Sequence, residues 1–366
     1  MATKILIGIP PKNHINLAMD EVEGLKDLGN ECETIIYTRN KPHGGKIDKL
    51  LGVISNAFAI IKRLRKMKPD LLYLNSRFEP VGTTRDFITI VLIRLFYWRK
   101  LHVAIKTHGS DLSILTKKSF FFDSIVIPYL THQVSLWFFL SHEEKNNIIH
   151  HAPTFGKKAY VTGNIIDSKR STKSTAFLES HGLNDKRFKF FFAGRMIAEK
   201  GILSIIRAIP KFIHKDECVF IFAGDGEEYD AFKNEIKELQ IENHVHLTGF
   251  LPEEECDHFY ANTDALVFPT YFDEGFPMAL FKSVACGLPV ITTKTRAAID
   301  HLKEPDNCLW VDGQNSKSVT KALNKLYENP DLREQMAKNN ELLGKNFSRQ
   351  KITEQMNKDF SEFLKH

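Results

Sequence analysis

The sequence predicts two consecutive domains of the doubly wound α/β class, and three observations carry that expectation. Its 366 residues suit two ordinary domains of about 100 to 200 residues each. Short apolar runs alternate along the chain with longer segments of helical pattern, as in a parallel sheet flanked by helices. A polar, charged, Ser/Thr-rich stretch, DSKRSTKSTAFLESHGLNDKRFK, separates two such series and puts the domain boundary near residues 168–186.

In the first half KILIGI, ETIIYT, LLYLN, HVAIKTH, VSLWFFLS and KAYVTGN read as strands. In the second half the strands are FKFFFAG, CVFIFAG, VHLTGF, ALVFPT and PVITT. The tail after Pro330 is polar and helical in composition. Ligands of open parallel sheets bind beyond the carboxyl ends of the strands, so the residues just after each strand are the candidates for chemistry. Two such domains facing one another make a cleft.

Hydrophobic content of 43% with 26% charged residues is ordinary globular usage and excludes disordered, collagenous and coiled-coil classes. Five cysteines, an odd and widely spaced set without a CxxC pair, fit reduced thiols in a cytoplasmic protein. The opening MATKILIGIP is too short for a signal segment and reads as a buried strand. The longest apolar region, Phe120 to Leu140, is interrupted by Asp123, Pro128, His132 and Gln133, which argues for core and against a bilayer span.

The net charge of +5 hides an asymmetry: residues 1–170 carry +10 and the remainder −5. The first half therefore meets something anionic. Its cations gather in AFAIIKRLRKMKPD, with Lys62, Arg63, Arg65, Lys66 and Lys68, and in IRLFYWRK, with Arg94, Arg99 and Lys100. A solvated helix face and an interfacial patch for an anionic membrane are both compatible with these runs. Nucleic acid is not an expected partner, since no binding motif accompanies them.

Three segments could carry chemistry. FKFFFAG runs into GRMIAEKG, placing Arg195 and Lys200 around the start of a helix, where backbone dipole and fixed cations suit a diphosphate. IFAGDGEE puts Gly224 and Gly226 after a strand, a weak signal for close backbone approach to a ligand. ALVFPTYFDEGFPMALFKSVACGLPVITT ends a strand at Pro269, carries Glu274 in a loop and opens a helix near Phe276 or Pro277. Backbone N–H groups of Gly275, Phe276 and Met278, around Pro277, face phosphate oxygens in this reading, with Glu274 beside them as an acceptor for sugar hydroxyls.

Taken in order, FAGRMIAEKG, FAGDGEE, VHLTGFLPEEE, YANTDALVFPT and DEGFPMALFKSVACGLPVITT resemble the retaining glycosyltransferases of the large GT4-like family with the GT-B fold. The resemblance covers residues 188–300 and implies two Rossmann-like domains, 1–170 on the acceptor side and 171–345 for the nucleotide sugar. A closing helical segment, 346–366, then packs back on the first domain. It also implies that Arg195 and Lys200 contact the donor diphosphate and that Glu274 contacts the transferred sugar. Phe250 and Leu251 occupy the place where family members set the nucleobase against backbone groups. His108 in HVAIKTHGSDL resembles the histidine that hydrogen-bonds the donor sugar, with a structural role as the alternative. Asp111 is either a helix cap or a second cleft residue.

The sequence departs from that pattern at several places. The family's second glutamate, which receives the ribose hydroxyls, is Lys282 here. Lysine has no acceptor lone pair, and a lost charged hydrogen bond costs about 1.5 to 3 kcal/mol. Lys282 is left with a phosphate or a carboxylate as its partner. The glycine-rich loop after the first strand is replaced by IPPKNHINLA, leaving Lys12, Asn13 or His14 for ligand contacts. VTGNIID keeps Asn164 and Asp167 of the family's Asn-Gly-Val-Asp loop, with Ile165 in place of glycine.

No Asp-x-Asp motif or His/Cys ligand cluster is present in the sequence, so the reading is a metal-independent enzyme without a cofactor, in which Arg195, Lys200 and a helix N-terminus neutralise the departing diphosphate. Its partners are a nucleotide-diphosphate sugar and a glycan or lipid-linked acceptor, at the inner face of a membrane. Three alternatives stand beside it: a catalytically silent scaffold subunit, suggested by Lys282; a sugar-nucleotide epimerase; and a dinucleotide oxidoreductase, which the missing GxGxxG disfavours.

Overall fold

The computed structural model describes residues 2–11, 15–37, 45–166, 173–183 and 186–364. It divides the chain into two compact units, Met1–Ile165 with Arg349–His366, and Ile166–Ser348. Lys12, Asn13, His14 and Asp167 lie outside the described residues.

The first unit holds a parallel sheet of six strands: β1 Lys4–Ile9, β2 Glu31–Ile36, β3 Leu71–Phe78, β4 His102–Ser110, β5 Leu136–Phe139 and β6 Ala159–Val161. Their order is β2-β1-β3-β4-β5-β6. Among the helices covering it are α1 (Ile15–Asp27), α2 (Lys46–Met67) and α3 (Pro80–Phe96).

Successive residues of each strand enter opposite layers of core. Leu6, Leu72, Leu74, Val103, Ile105 and Trp137 go to one side, while Ile5, Ile7, Tyr73, Ala104 and Phe138 go to the other. Burial on both faces is why the inner strands read as largely apolar runs, whereas β2, at the sheet edge, is only partly buried. The second layer also contains Ile352, Met356 and Phe360, so the Arg349–Leu364 helix is an integral part of the first unit's core.

The second unit repeats the plan with β7 Phe188–Ala193, β8 Cys218–Ala223, β9 Val245–Gly249, β10 Ala265–Phe268, β11 Val290–Thr292 and β12 Cys308–Trp310. Their order is β12-β11-β10-β7-β8-β9, again all parallel. The expected fold class is thus the observed one, with a sixth strand, β12, that the sequence reading missed. It is three residues long, too short to show a period. Phenylalanines build the centre: Phe190 stacks on Phe220 at 5.0 Å and Phe191 on Phe259 at 5.6 Å.

One buried ionic group helps fix the first unit. Lys106, on β4 and fully buried, donates to Glu21 of α1 at 2.5 Å and to the Gly163 carbonyl at 2.9 Å. The Tyr73 hydroxyl donates to the other Glu21 oxygen at 2.7 Å. Each charge is therefore paired and hydrogen-bonded, which is the condition for burying it. Lys106→Ala strands Glu21 without its counter-charge and is expected to cost about 3 to 5 kcal/mol in urea unfolding. The double change Lys106→Met with Glu21→Gln is expected to recover most of that loss, since it removes both charges together.

Candidate functional site

The described site lies within the second unit, where the segments after β7 and β10 meet. These strands are neighbours in the sheet, so their carboxyl ends deliver two loops to one place. After β7 the chain passes Arg195 and makes a short 3-10 turn, Ala198–Lys200, ending at Gly201 with φ of 74°. Glycine is needed there twice over: the backbone is left-handed, and a Cβ would lie 2.1 Å from the Pro269 carbonyl oxygen of the other loop. The Tyr271 and Phe272 amides then donate to the Glu199 carbonyl at 2.8 and 2.9 Å, fastening the loops together.

Lys200 is only 4% exposed, and its ammonium pairs with the Glu274 carboxylate. Burial pushes Lys200 down to about 8, and the charge of Arg195 acts in the same direction. Glu274 is the opposing counter-charge. An aromatic floor completes the arrangement, since the Phe272 ring lies 5.1 Å from the Lys200 ammonium and 5.3 Å from the Arg195 guanidinium. Asp273 pairs with the buried Arg296 and steadies the same loop.

Three of the residues singled out in the sequence, Arg195, Lys200 and Glu274, are thereby brought together. Gly275 and Pro277 are buried, and the helix they lead into is Met278–Ala285, beginning at Met278. Phe276 turns its side chain into the core, stacked on Phe281 at 3.9 Å and against Phe347 at 5.5 Å. Only its main chain is left to face a ligand.

Gly224 is accounted for by packing, because a Cβ there would fall 1.9 Å from the Gly194 carbonyl oxygen. Phe250 is exposed and Leu251 half-buried, following the end of β9. The Lys282 ammonium binds two carboxylates of the Glu253–Asn262 helix, Glu253 and Asp257, each at 2.8 Å. Burial opposes the charge on Lys282, but these hydrogen bonds outweigh it and hold its pKa above the ordinary lysine value.

In the first unit His108 stands near the carboxyl end of β4, with Nε2 2.6 Å from Asn75 Oδ1 at the corresponding end of β3. An amide oxygen only accepts, so this contact places a proton on Nε2. Asp111 accepts the Ser113 amide at 2.9 Å, and Asn164 is buried. Sequence reasoning missed Asn75 and Phe272. Phe272 had a weak signal, an aromatic residue two positions before Glu274, and Asn75 had none.

Among the described residues, no group of three or more His, Cys, Asp or Glu side chains is placed to hold a metal ion. Nor, among them, is any helix long and apolar enough to cross a membrane.

Residues 173–342 match the family model for glycosyl transferases group 1. An uncharacterized glycosyltransferase of Methanocaldococcus jannaschii is 26% identical over 163 residues, 44% of this chain and 42% of the relative. The match thus spans less than half of that protein. The capsular polysaccharide biosynthesis glycosyltransferase CapM of Staphylococcus aureus is 25% identical over 360 residues, 96% of this chain and 90% of its own. Among solved structures, Anabaena HepE in complex with UDP and glucose superposes with a TM-score of 0.76 at 16% identity, covering 98% of this chain and 100% of that one. The two-sheet architecture is that of GT-B glycosyltransferases.

A cation with a pKa near 8 gives a pH signature. An anion favours the charged form of Lys200, so its binding raises the lysine's pKa and takes up protons as pH rises through about 8. Pyrophosphate affinity, measured by calorimetry in buffers of different ionisation enthalpy, is expected to fall above that pH. In Lys200→Arg, whose charge persists, the fall is expected to be absent.

Proposed function

We propose that the chain is a glycosyltransferase that moves a sugar from a nucleotide-diphosphate sugar to a glycan or lipid-linked acceptor, with retention of configuration and without a metal. The observation that carries this reading is the meeting of Arg195, Lys200 and Glu274 on an aromatic floor beside the start of the Met278–Ala285 helix. Two cations can neutralise a departing diphosphate, while a carboxylate accepts sugar hydroxyls. The group 1 match over residues 173–342 covers all three residues.

In this reading Glu274 orients the sugar and is released from Lys200 as the diphosphate takes its place. The acceptor hydroxyl approaches on the leaving-group face, and a donor phosphate oxygen receives its proton. His108, held by Asn75, contacts the donor sugar. HepE was solved with UDP and glucose, and CapM takes part in capsular polysaccharide biosynthesis; both kinds of substrate suit the same chemistry here. A lipid-linked acceptor places the chain in the cytoplasm at the inner face of an anionic membrane.

Calorimetry with a panel of nucleotide diphosphates tests the reading. One of them is expected to bind, and Arg195→Ala is expected to weaken it by about ten- to a hundred-fold, the worth of a charged hydrogen bond. A purified chain that binds none of them is a silent scaffold. Activity that survives chelators, with a product of unchanged anomeric configuration by NMR, is expected for the full proposal.

A further inference from the structure

The first unit has an outer face whose composition is unlike an ordinary solvated surface. On α2 the exposed positions 51, 55, 58, 62, 65 and 66 form one stripe at helical spacing. Leu51 and Phe58, with the small Ser55 between them, make its first half mostly apolar, and Lys62, Arg65 and Lys66 make its second half cationic. The end of α3 lies alongside: the Phe58 and Phe96 rings are 5.3 Å apart, and Arg65 donates to the Phe96 carbonyl at 2.8 Å.

The last turn of α3 exposes Leu95 and Phe96, and just beyond it come Trp98, exposed by 91% of its surface, and exposed Arg99 and Lys100. The Trp98 indole N–H donates to the Leu95 carbonyl at 3.0 Å. Its polar atom is thus satisfied within the chain, and the ring can enter an apolar phase without stripping water from that donor.

Charge decides which partner suits this face. A second copy would set Lys62, Lys66, Arg99 and Lys100 against the same cations, which is repulsive. Of the nearby carboxylates, Glu33 pairs with Arg63 of α2 at 2.6 Å, and Asp70 accepts from the Lys4 amide at 3.0 Å. Lysine is depleted at the centres of protein interfaces, whereas lysine and arginine beside exposed aromatic rings suit anionic headgroups above acyl chains.

We infer that this face docks on an anionic lipid bilayer, with Phe58, Leu95, Phe96 and Trp98 at the boundary of headgroups and acyl chains and the four cations on lipid phosphates. The inference rests on the proposed membrane location and specifies the surface, but it requires no transferase activity.

The test uses the full chain with vesicles of phosphatidylcholine alone or mixed with phosphatidylglycerol. Sedimentation with mixed vesicles only, accompanied by a blue shift of tryptophan emission, is expected. Of the three tryptophans, Trp137 is 1% exposed, and the shift is expected to disappear in Trp98→Phe. Trp98→Ser with Phe96→Ser is expected to lower partitioning by about ten-fold or more, and Lys62→Gln with Lys66→Gln and Arg99→Gln to lower it and flatten its salt dependence.

Nucleotide diphosphate binding in the same preparations reports that each variant is folded. Equal binding to neutral vesicles, no binding by the unaltered chain, or a dimer abolished by Trp98→Ser without vesicle binding overturns the inference. A chain that binds nucleotide but not vesicles sinks the docking face and spares the transferase reading; the converse result does the opposite.

Discussion

A lysine ammonium taken out of water is tolerated only beside an opposite charge, and the second unit is arranged around one such case. Lys200 and Glu274 come from different segments, 74 residues apart in sequence. They can meet only if the loops after β7 and β10 close on each other. That closure explains why Gly201 lies against the Pro269 carbonyl and why two successive amides fasten on the Glu199 carbonyl. It also explains why Phe272 lies near both cations. The sheet order supplies the rest, since β10 pairs directly with β7.

Lys106 shows how different a buried lysine can be within one chain. It has a carboxylate and a backbone carbonyl as partners, and its Glu21 is further held by Tyr73. Both of its hydrogen bonds go to oxygens held in place by other contacts, a network that stiffens the fold. Lys200 has Glu274 on one side and the faces of Phe268 and Phe272 on the other, at 5.4 and 5.1 Å. Aromatic faces are weaker partners for a cation than oxygens are. An incoming phosphate oxygen therefore has more to improve on at Lys200 than at Lys106, which already has two oxygen acceptors.

The fold was legible in the sequence because the inner strands of both sheets are buried on two faces, which writes most of them as apolar runs; β12, three residues at a sheet edge, left too little pattern. Arg195, Lys200 and Glu274 were legible through the spacing of residues around strand ends. Phe276 shows the limit of such reading. Its position beside a helix start suggested phosphate contact, yet its ring stacks on Phe281, and spacing cannot separate what a residue's main chain does from what its side chain does. Asn75 could not be found at all, because its contact with His108 joins residues 33 positions apart across two strands.

The sequence offers Lys282 either a phosphate or a carboxylate as partner, and the structure gives it two carboxylates, 25 and 29 residues upstream. The consequence is larger than one lost acceptor. The Glu253 side chain is 58% exposed and that of Asp257 30%. A glutamate at 282 would have brought a third negative charge against these two; a lysine there neutralises one and steadies both. Lys282 is therefore accounted for by its ion pairs with the neighbouring helix, a packing role that by itself argues neither for a phosphate contact nor for a dead site.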